Sequence, residues 1–321
     1  MGKCGDPHFP FFPTRREALL RPNGFLSMIE YLQFILAPQV VNGLSLGMAV
    51  VLMALGLTII FGLLDVINMS HGEFYAAGAF ASVSLLAIGV PFWLMLLLVP
   101  LILLPIGFLM EVALIQRVYH HKDRHILTLL LTFGVATVLE DVYKLIWGPN
   151  PIRPEAPIGG AIEFLGLILP NYRLFLMAFG GLLIVGVMWL IYKTSFGAIV
   201  RAAAFDRDMS ASLGISVKRV YALTFSFGVA IAGLSGALLA PIYSAFPTMG
   251  KDFILLAFTV VIVGGLGSIK GAVIAGLLLT QVQAISSLYI PPVWTEPLVF
   301  TVMVLVLMFK PAGLFGGLKN G

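Results

Sequence analysis

A chain of 321 residues that is 60% hydrophobic and only 11% charged cannot cover a soluble globular surface, because soluble domains carry roughly 25% charged residues. With a mean hydropathy of +1.03 its solvent is mostly lipid, and its apolar runs lack the period-2 alternation of a membrane barrel, so the spans are helical. The net charge of +4 reads as topology information and not as a nucleic-acid footprint, and the single cysteine, Cys4, excludes an intrachain disulfide framework, a Cys-rich metal site and a CxxC redox pair.

Residues 1–24 are basic but lack an apolar core directly behind the charges, so they do not read as a cleavable signal peptide. Residues 1–30 are expected to be a disordered cytoplasmic tail, and 31–321 a single transmembrane domain. Apolar runs follow at 38–64, 74–90, 92–116, 126–147, 174–192, 220–240, 253–267, 271–290 and 298–309, most of them near the roughly 20 residues a helix needs to cross hydrocarbon. The connections 117–125 and 193–219 are basic and are expected on the cytoplasmic side, with the Pro- and Gly-rich 148–173 on the other. The expected class is an all-α polytopic membrane protein with about eight transmembrane helices, or nine, and Gly-rich interruptions near 65–75 and 264–271. Three full crossings before residue 117 would place the basic N-terminus outside. An interrupted or re-entrant segment at 65–75 would restore it to the cytoplasm.

That interruption, "DVINMSHGE", sets Asn68, Ser70, His71 and Glu73 between two membrane-grade runs. Acidic groups in hydrocarbon cost a few kcal/mol on insertion scales (about 3 at the helix centre), so they turn inward, pair or sit at the interface. If a half-helix starts here, Ser70 caps it and Glu73 completes a capping box. Its free N–H groups would also favour an anion such as a carboxylate on a translocation pathway. The second break, at Gly264, Gly265, Gly267 and Ser268, shares a pattern with the first: Ser70 precedes Ala77 and Gly78 as Ser268 precedes Ala275 and Gly276. Paired interruptions mark internally repeated transport folds with the pathway at the breaks.

Glu140, Asp141 and Lys144 lie in one apolar run, with Glu140 and Lys144 spaced to pair on one helix face. An intramembrane ion pair is expected there. Gly43 with Gly47, Gly228 with Ala232 and Gly233 with Ala237 permit close helix contact. Residues 197–215 read as a short helix ended by Gly214, with Phe205, Met209, Ser212 and Leu213 on a rough apolar stripe. It could lie on the membrane or dock in a partner's groove. No GxxxxGK[ST] loop, HExxH spacing or nucleophile elbow occurs. No catalytic residue, metal or cofactor is expected.

Four stretches, "INMSHGE" within 40–80, 124–149, "AAAFDRDMSASLGI" within 194–241 and "VIVGGLGSIKGAVIAG" within 252–279, resemble the permease subunits of bacterial branched-chain amino acid ABC importers. The likeness is to the smaller of the two permeases in that system and covers about residues 38–318. It implies a multi-pass permease of the bacterial inner membrane. It also implies a second related permease, two cytoplasmic ATPase subunits, which house the ATP site this chain lacks, and a periplasmic substrate-binding protein. Residues 201–215 match the family's coupling loop, which places ATPase coupling at Ala203, Asp206, Met209, Ala211 and Gly214. The general importer motif begins Glu-Ala-Ala, and this chain has Arg201 at that position. Relatives move urea, short amides or other amino acids, and these residues do not separate the cargoes. An ion-coupled secondary carrier using His71, Glu73, Glu140 and Asp141 is the rival from another class, and a non-transporting membrane scaffold is a third.

Overall fold

The computed structural model describes residues 31–119, 121–164 and 167–316. The expected tail, 1–30, lies outside the described residues. A π-helical turn, Leu32–Leu36, leads into α1 (Ala37–Leu64), with Pro38 in its first turn, where a missing N–H costs nothing. Then come α2 (His71–Ala87), α3 (Phe92–Met110), α4 (Arg124–Trp147), α5 (Asn171–Lys193), α6 (Ser195–Phe205), α7 (Arg207–Ser212), α8 (Val217–Tyr243), α9 (Met249–Gly264), α10 (Ile269–Ser286) and α11 (Thr295–Phe309). A second π turn, Glu111–Ile115, and a short helical turn, Gln116–Val118, extend α3. The departure from all-α is a hairpin, β1 (Ala161–Phe164) against β2 (Leu167–Pro170), antiparallel with Ala161 opposite Pro170.

Each apolar run has become a helix. Among the described residues six helices are long and apolar enough to cross a membrane: α1, α3 with its extension, α4, α5, α8 and α10. To reach eight or nine crossings, the shorter α2, α9 and α11 have to supply the difference.

The centre of the bundle is α1 and α8. In each, 83% of the most apolar stretch is buried, against 28% in α4 and in α5. The inner helices are therefore surrounded by protein, and the outer ones show apolar side chains such as Leu97 and Leu109 outward, as a lipid-facing shell requires. Small residues set the inner spacing. A Cβ at Gly78 on α2 would overlap the Gly233 carbonyl on α8, and one at Gly72 would overlap the Gly250 carbonyl on α9. Gly43 and Gly47 of α1 lie against Gln281 and Thr280 of α10. These glycine seams take the place of a hydrophobic driving force, which lipid does not supply.

Contacts order the helix ends. Asp65, just past α1, lies 3.9 Å from Arg124 at the start of α4. Gln116 reaches the Lys218 carbonyl at 3.2 Å, and Lys270 lies 5.8 Å over the Tyr192 ring. One end of the bundle thus gathers Arg117, Lys122, Arg124, Lys193, Arg201, Arg207, Lys218, Arg219 and Lys270, as the two basic connections led one to expect. We call it the basic end. The opposite end carries the β-hairpin segment, where Ile152 and Ala245 exchange backbone hydrogen bonds of 2.8 and 2.7 Å. Tyr31 is also there, with its hydroxyl 2.6 Å from that of Tyr289. Since α1 ends at the basic end, it starts at the opposite one. An even number of crossings before residue 117 is therefore not what the helices form.

Candidate functional site

The first interruption begins at Asp65, in the left-handed region at φ 53°, a conformation Asp tolerates better than most residues. The chain then turns back into the bundle. Met69 N–H donates to Thr132 Oγ1 at 3.1 Å. His71 Nε2 donates to the Met53 carbonyl at 3.1 Å, so its proton sits on that nitrogen. Met53 lies eleven residues before the end of α1, or about 16 Å at 1.5 Å per residue. The helix start is therefore near mid-bundle and not on a surface loop.

Asn68, Ser70, His71 and Glu73 are all closed off from solvent, none more than 1% exposed. The capping box expected of Ser70 and Glu73 does not form. Ser70 is itself in a helical conformation, so its hydroxyl makes no cap bond. It donates to Asn68 Oδ1 at 2.6 Å, and the Ser70 N–H meets the same oxygen at 3.0 Å. Glu73 points away, with its carboxylate on the face of Gly250, where a Cβ would collide with it. Tyr143 donates to the Glu73 backbone carbonyl at 2.8 Å. Asn68 Nδ2, His71 Nδ1 and Glu73 Oε2 have no hydrogen-bond partner.

The second interruption lies elsewhere. Gly267 is against Gly62, two residues from the end of α1. Gly264 packs on Gly271, and Gly265 on Gly316. Ser268 is a true N-cap, its Oγ accepting from Gly271 N–H at 3.1 Å. The two breaks thus share a sequence pattern but differ in depth and in capping, and the structure does not bring them together.

The expected pair of Glu140 and Lys144 is formed at 2.8 Å, with Asp141 to Lys144 at 3.2 Å. Lys251 of α9, which the sequence did not single out, takes the other Glu140 oxygen. Glu73 lies within electrostatic range of Glu140, Lys251 and Lys144. The network ties α4 to α9 beside the α2 start. Among the described residues no cluster of His, Cys, Asp and Glu could hold a metal.

At the basic end, the single helix expected over 197–215 is two. The chain bends at Asp206, whose extended backbone cannot continue α6 and whose Oδ1 accepts from Met209 N–H at 2.8 Å, capping α7. Gly214, at φ 86°, ends α7 as expected. Arg201 Nη1 donates to the Ile191 carbonyl, a cation at the C-terminus of α5 that favours its dipole. Ala203 is buried against the membrane body, whereas Met209 and Ala211 are exposed. Three large apolar side chains at spacings of four stand in the open: Phe205 at 94%, Met209 at 60% and Leu213 at 73%.

The sequence pattern of the family described as "Branched-chain amino acid transport system / permease component" matches residues 39–307. The chain belongs to this permease family. The high-affinity branched-chain amino acid transport system permease protein LivH of Salmonella typhimurium is 30% identical over 305 residues, covering 89% of this chain and 97% of that protein. BraD of Pseudomonas aeruginosa, a permease protein of the same description, is 29% identical over 294 residues, covering 87% of this chain and 95% of its own. LivM of Escherichia coli, a permease of the same kind of system, is 26% identical over 320 residues, covering 90% and 74%. No solved structure matches this permease.

Proposed function

We propose that this chain is one of two related permeases in an ATP-driven importer of branched-chain amino acids in the bacterial inner membrane. Two cytoplasmic ATPase subunits would drive it, and a periplasmic binding protein would deliver its substrate. The likeness to the branched-chain amino acid permeases LivH and BraD supports the substrate class. The weaker likeness to LivM supports a second, related permease.

The observation that carries the reading is the exposure of Phe205 at the end of α6 and of Met209 and Leu213 on and just after α7. Large apolar side chains outside the lipid-facing shell need a cover. On a short capped segment at the basic end, that cover is a groove in another protein. The buried start of α2 would take part in passage only if α2 moves against α8 and α9, since its polar groups are closed off within this chain.

The test is co-expression with the ATPases, the second permease and the binding protein. Phe205→Asp with Leu213→Asp is expected to release the ATPases on purification and abolish leucine uptake, while both permeases still co-purify. Uptake at the normal rate by this variant overturns the handle. Uptake by the isolated chain in liposomes, driven by an ion gradient without ATPase, overturns the importer and favours the carrier.

A further inference from the structure

We infer that Glu111 is a positioning residue that carries movement of the α6–α7 handle to the buried start of α2, an inference that rests on the handle reading above. The line begins on α7. The Arg207 guanidinium lies 5.6 Å over the Tyr221 ring of α8. Tyr221 meets Tyr119 edge to face, with centroids 5.6 Å apart at 84°. Tyr119 donates its hydroxyl to Glu111 Oε1 at 2.9 Å, and Gln116 Nε2 donates to Glu111 Oε2 at 2.6 Å. Gln116 also reaches the Lys218 carbonyl in the first turn of α8. Next to Glu111, Met110 Sδ lies 3.8 Å from Ser70 Oγ, at the helix start.

Three features distinguish this line from ordinary packing. Glu111 is fully buried, yet both its oxygens are held by neutral donors and none by a cation. A carboxylate is a costly way to brace two helices that apolar residues could brace as well. Glu111 also opens a π turn, Glu111–Ile115, in an otherwise α-helical span, and such bulges gather at functional sites. Finally, the bonds join α3 to α8 at the basic end, with Arg207 of α7 lying over the Tyr221 ring. A shift of α7 pulls on Tyr221, and through Tyr119 and Glu111 it turns the end of α3 against Ser70.

The assembled importer, reconstituted with its binding protein in liposomes, gives leucine moved per ATP hydrolysed. Tyr119→Phe removes one oxygen and is expected to lower that ratio about five-fold or more, with the ATPases still bound. Tyr221→Leu should lower it too, and Tyr221→Phe, which keeps the ring, should restore it. Tyr119→Phe combined with Arg207→Ala should be no worse than the worse single change, because both cut one line. An unchanged ratio in Tyr119→Phe, or losses that multiply in the double variant, overturns the line. If Phe205→Asp with Leu213→Asp releases the ATPases while Tyr119→Phe keeps the ratio, the line fails alone. If that double change retains the ATPases, the handle fails and the line with it.

Discussion

Lys251 on α9 closes on one oxygen of Glu140 on α4, while Lys144 holds the other oxygen at 2.8 Å. One buried carboxylate therefore binds two cations from different helices, beside the start of α2. Glu140 has a side chain only 6% exposed, whereas Lys144 and Lys251 are 42% and 52% exposed.

That asymmetry predicts unequal effects. Glu140→Ala leaves two lysines without their shared partner and should destabilise the purified permease by about 1–2 kcal/mol, below the range for fully buried pairs because both lysines reach solvent. Lys251→Met should cost less, since Lys144 stays in place. The exchange of charges, Glu140→Lys with Lys251→Glu, should recover part of the loss. Thermal unfolding in detergent reads all three, and equal losses in the two single variants would refute the account.

The close approach of α2 and α8 makes a second prediction. At Gly78 even one methyl group would overlap the Gly233 carbonyl, and backbone cannot yield as a side-chain tip can. Gly78→Ala should therefore cost a few kcal/mol (about 1–3 by overpacking) and lower the yield of folded protein. Gly134 on α4 has nothing within 4 Å of a built Cβ, so Gly134→Ala should be neutral or stabilising by up to about 1 kcal/mol. Size-exclusion profiles after heating compare the two, and a Gly78→Ala protein as robust as Gly134→Ala would disprove the seam.

Some of this was written in the sequence and some was not, for physical reasons. The helices follow from length and hydropathy, which lipid enforces locally, so all nine apolar runs became helices. Glu140 and Lys144 were legible because i, i+4 pairs are set by one helix alone. Lys251 was not, because its partner is 111 residues away in sequence and only packing joins them. The cap at the α2 start is not legible in the sequence for a similar reason. Ser-x-x-Glu spells a capping box, but Asn68 two residues earlier competes for the same donors, and Glu73 is drawn toward Gly250 and the lysines. The bend at Asp206 lay within reach of sequence, since Asp is a strong N-cap three residues before Met209, but the apolar stripe running across it argued for a continuous helix.

The helix ends make a third prediction. If the basic end faces the cytoplasm, Tyr289, whose hydroxyl meets that of Tyr31 at the other end, faces outward. In a Cys4→Ser background, Tyr289→Cys should react with a membrane-impermeant maleimide on intact cells. Asp65→Cys, at the basic end, should react only after permeabilisation. The reverse pattern would invert the whole topology.

Asp206 gives the fourth. Its carboxylate oxygen caps α7 through the Met209 N–H, and Ala at such a position costs about 1 kcal/mol of helix stability, or roughly a five-fold shift in the ordered population. Asn caps as well as Asp, so the two substitutions separate the cap from the charge. Asp206→Ala should lower leucine uptake per ATP by up to about five-fold, with both permeases still assembled. Asp206→Asn should remain close to the unmodified protein, because Oδ1 still accepts from Met209. If Asp206→Asn falls as far as Asp206→Ala, the negative charge matters and the ordering of α7 does not, and Asp206 would act by touching the partner instead of by shaping the handle. If neither changes the ratio, α7 holds its form in the assembly without the cap, and the partner's groove alone sets its conformation.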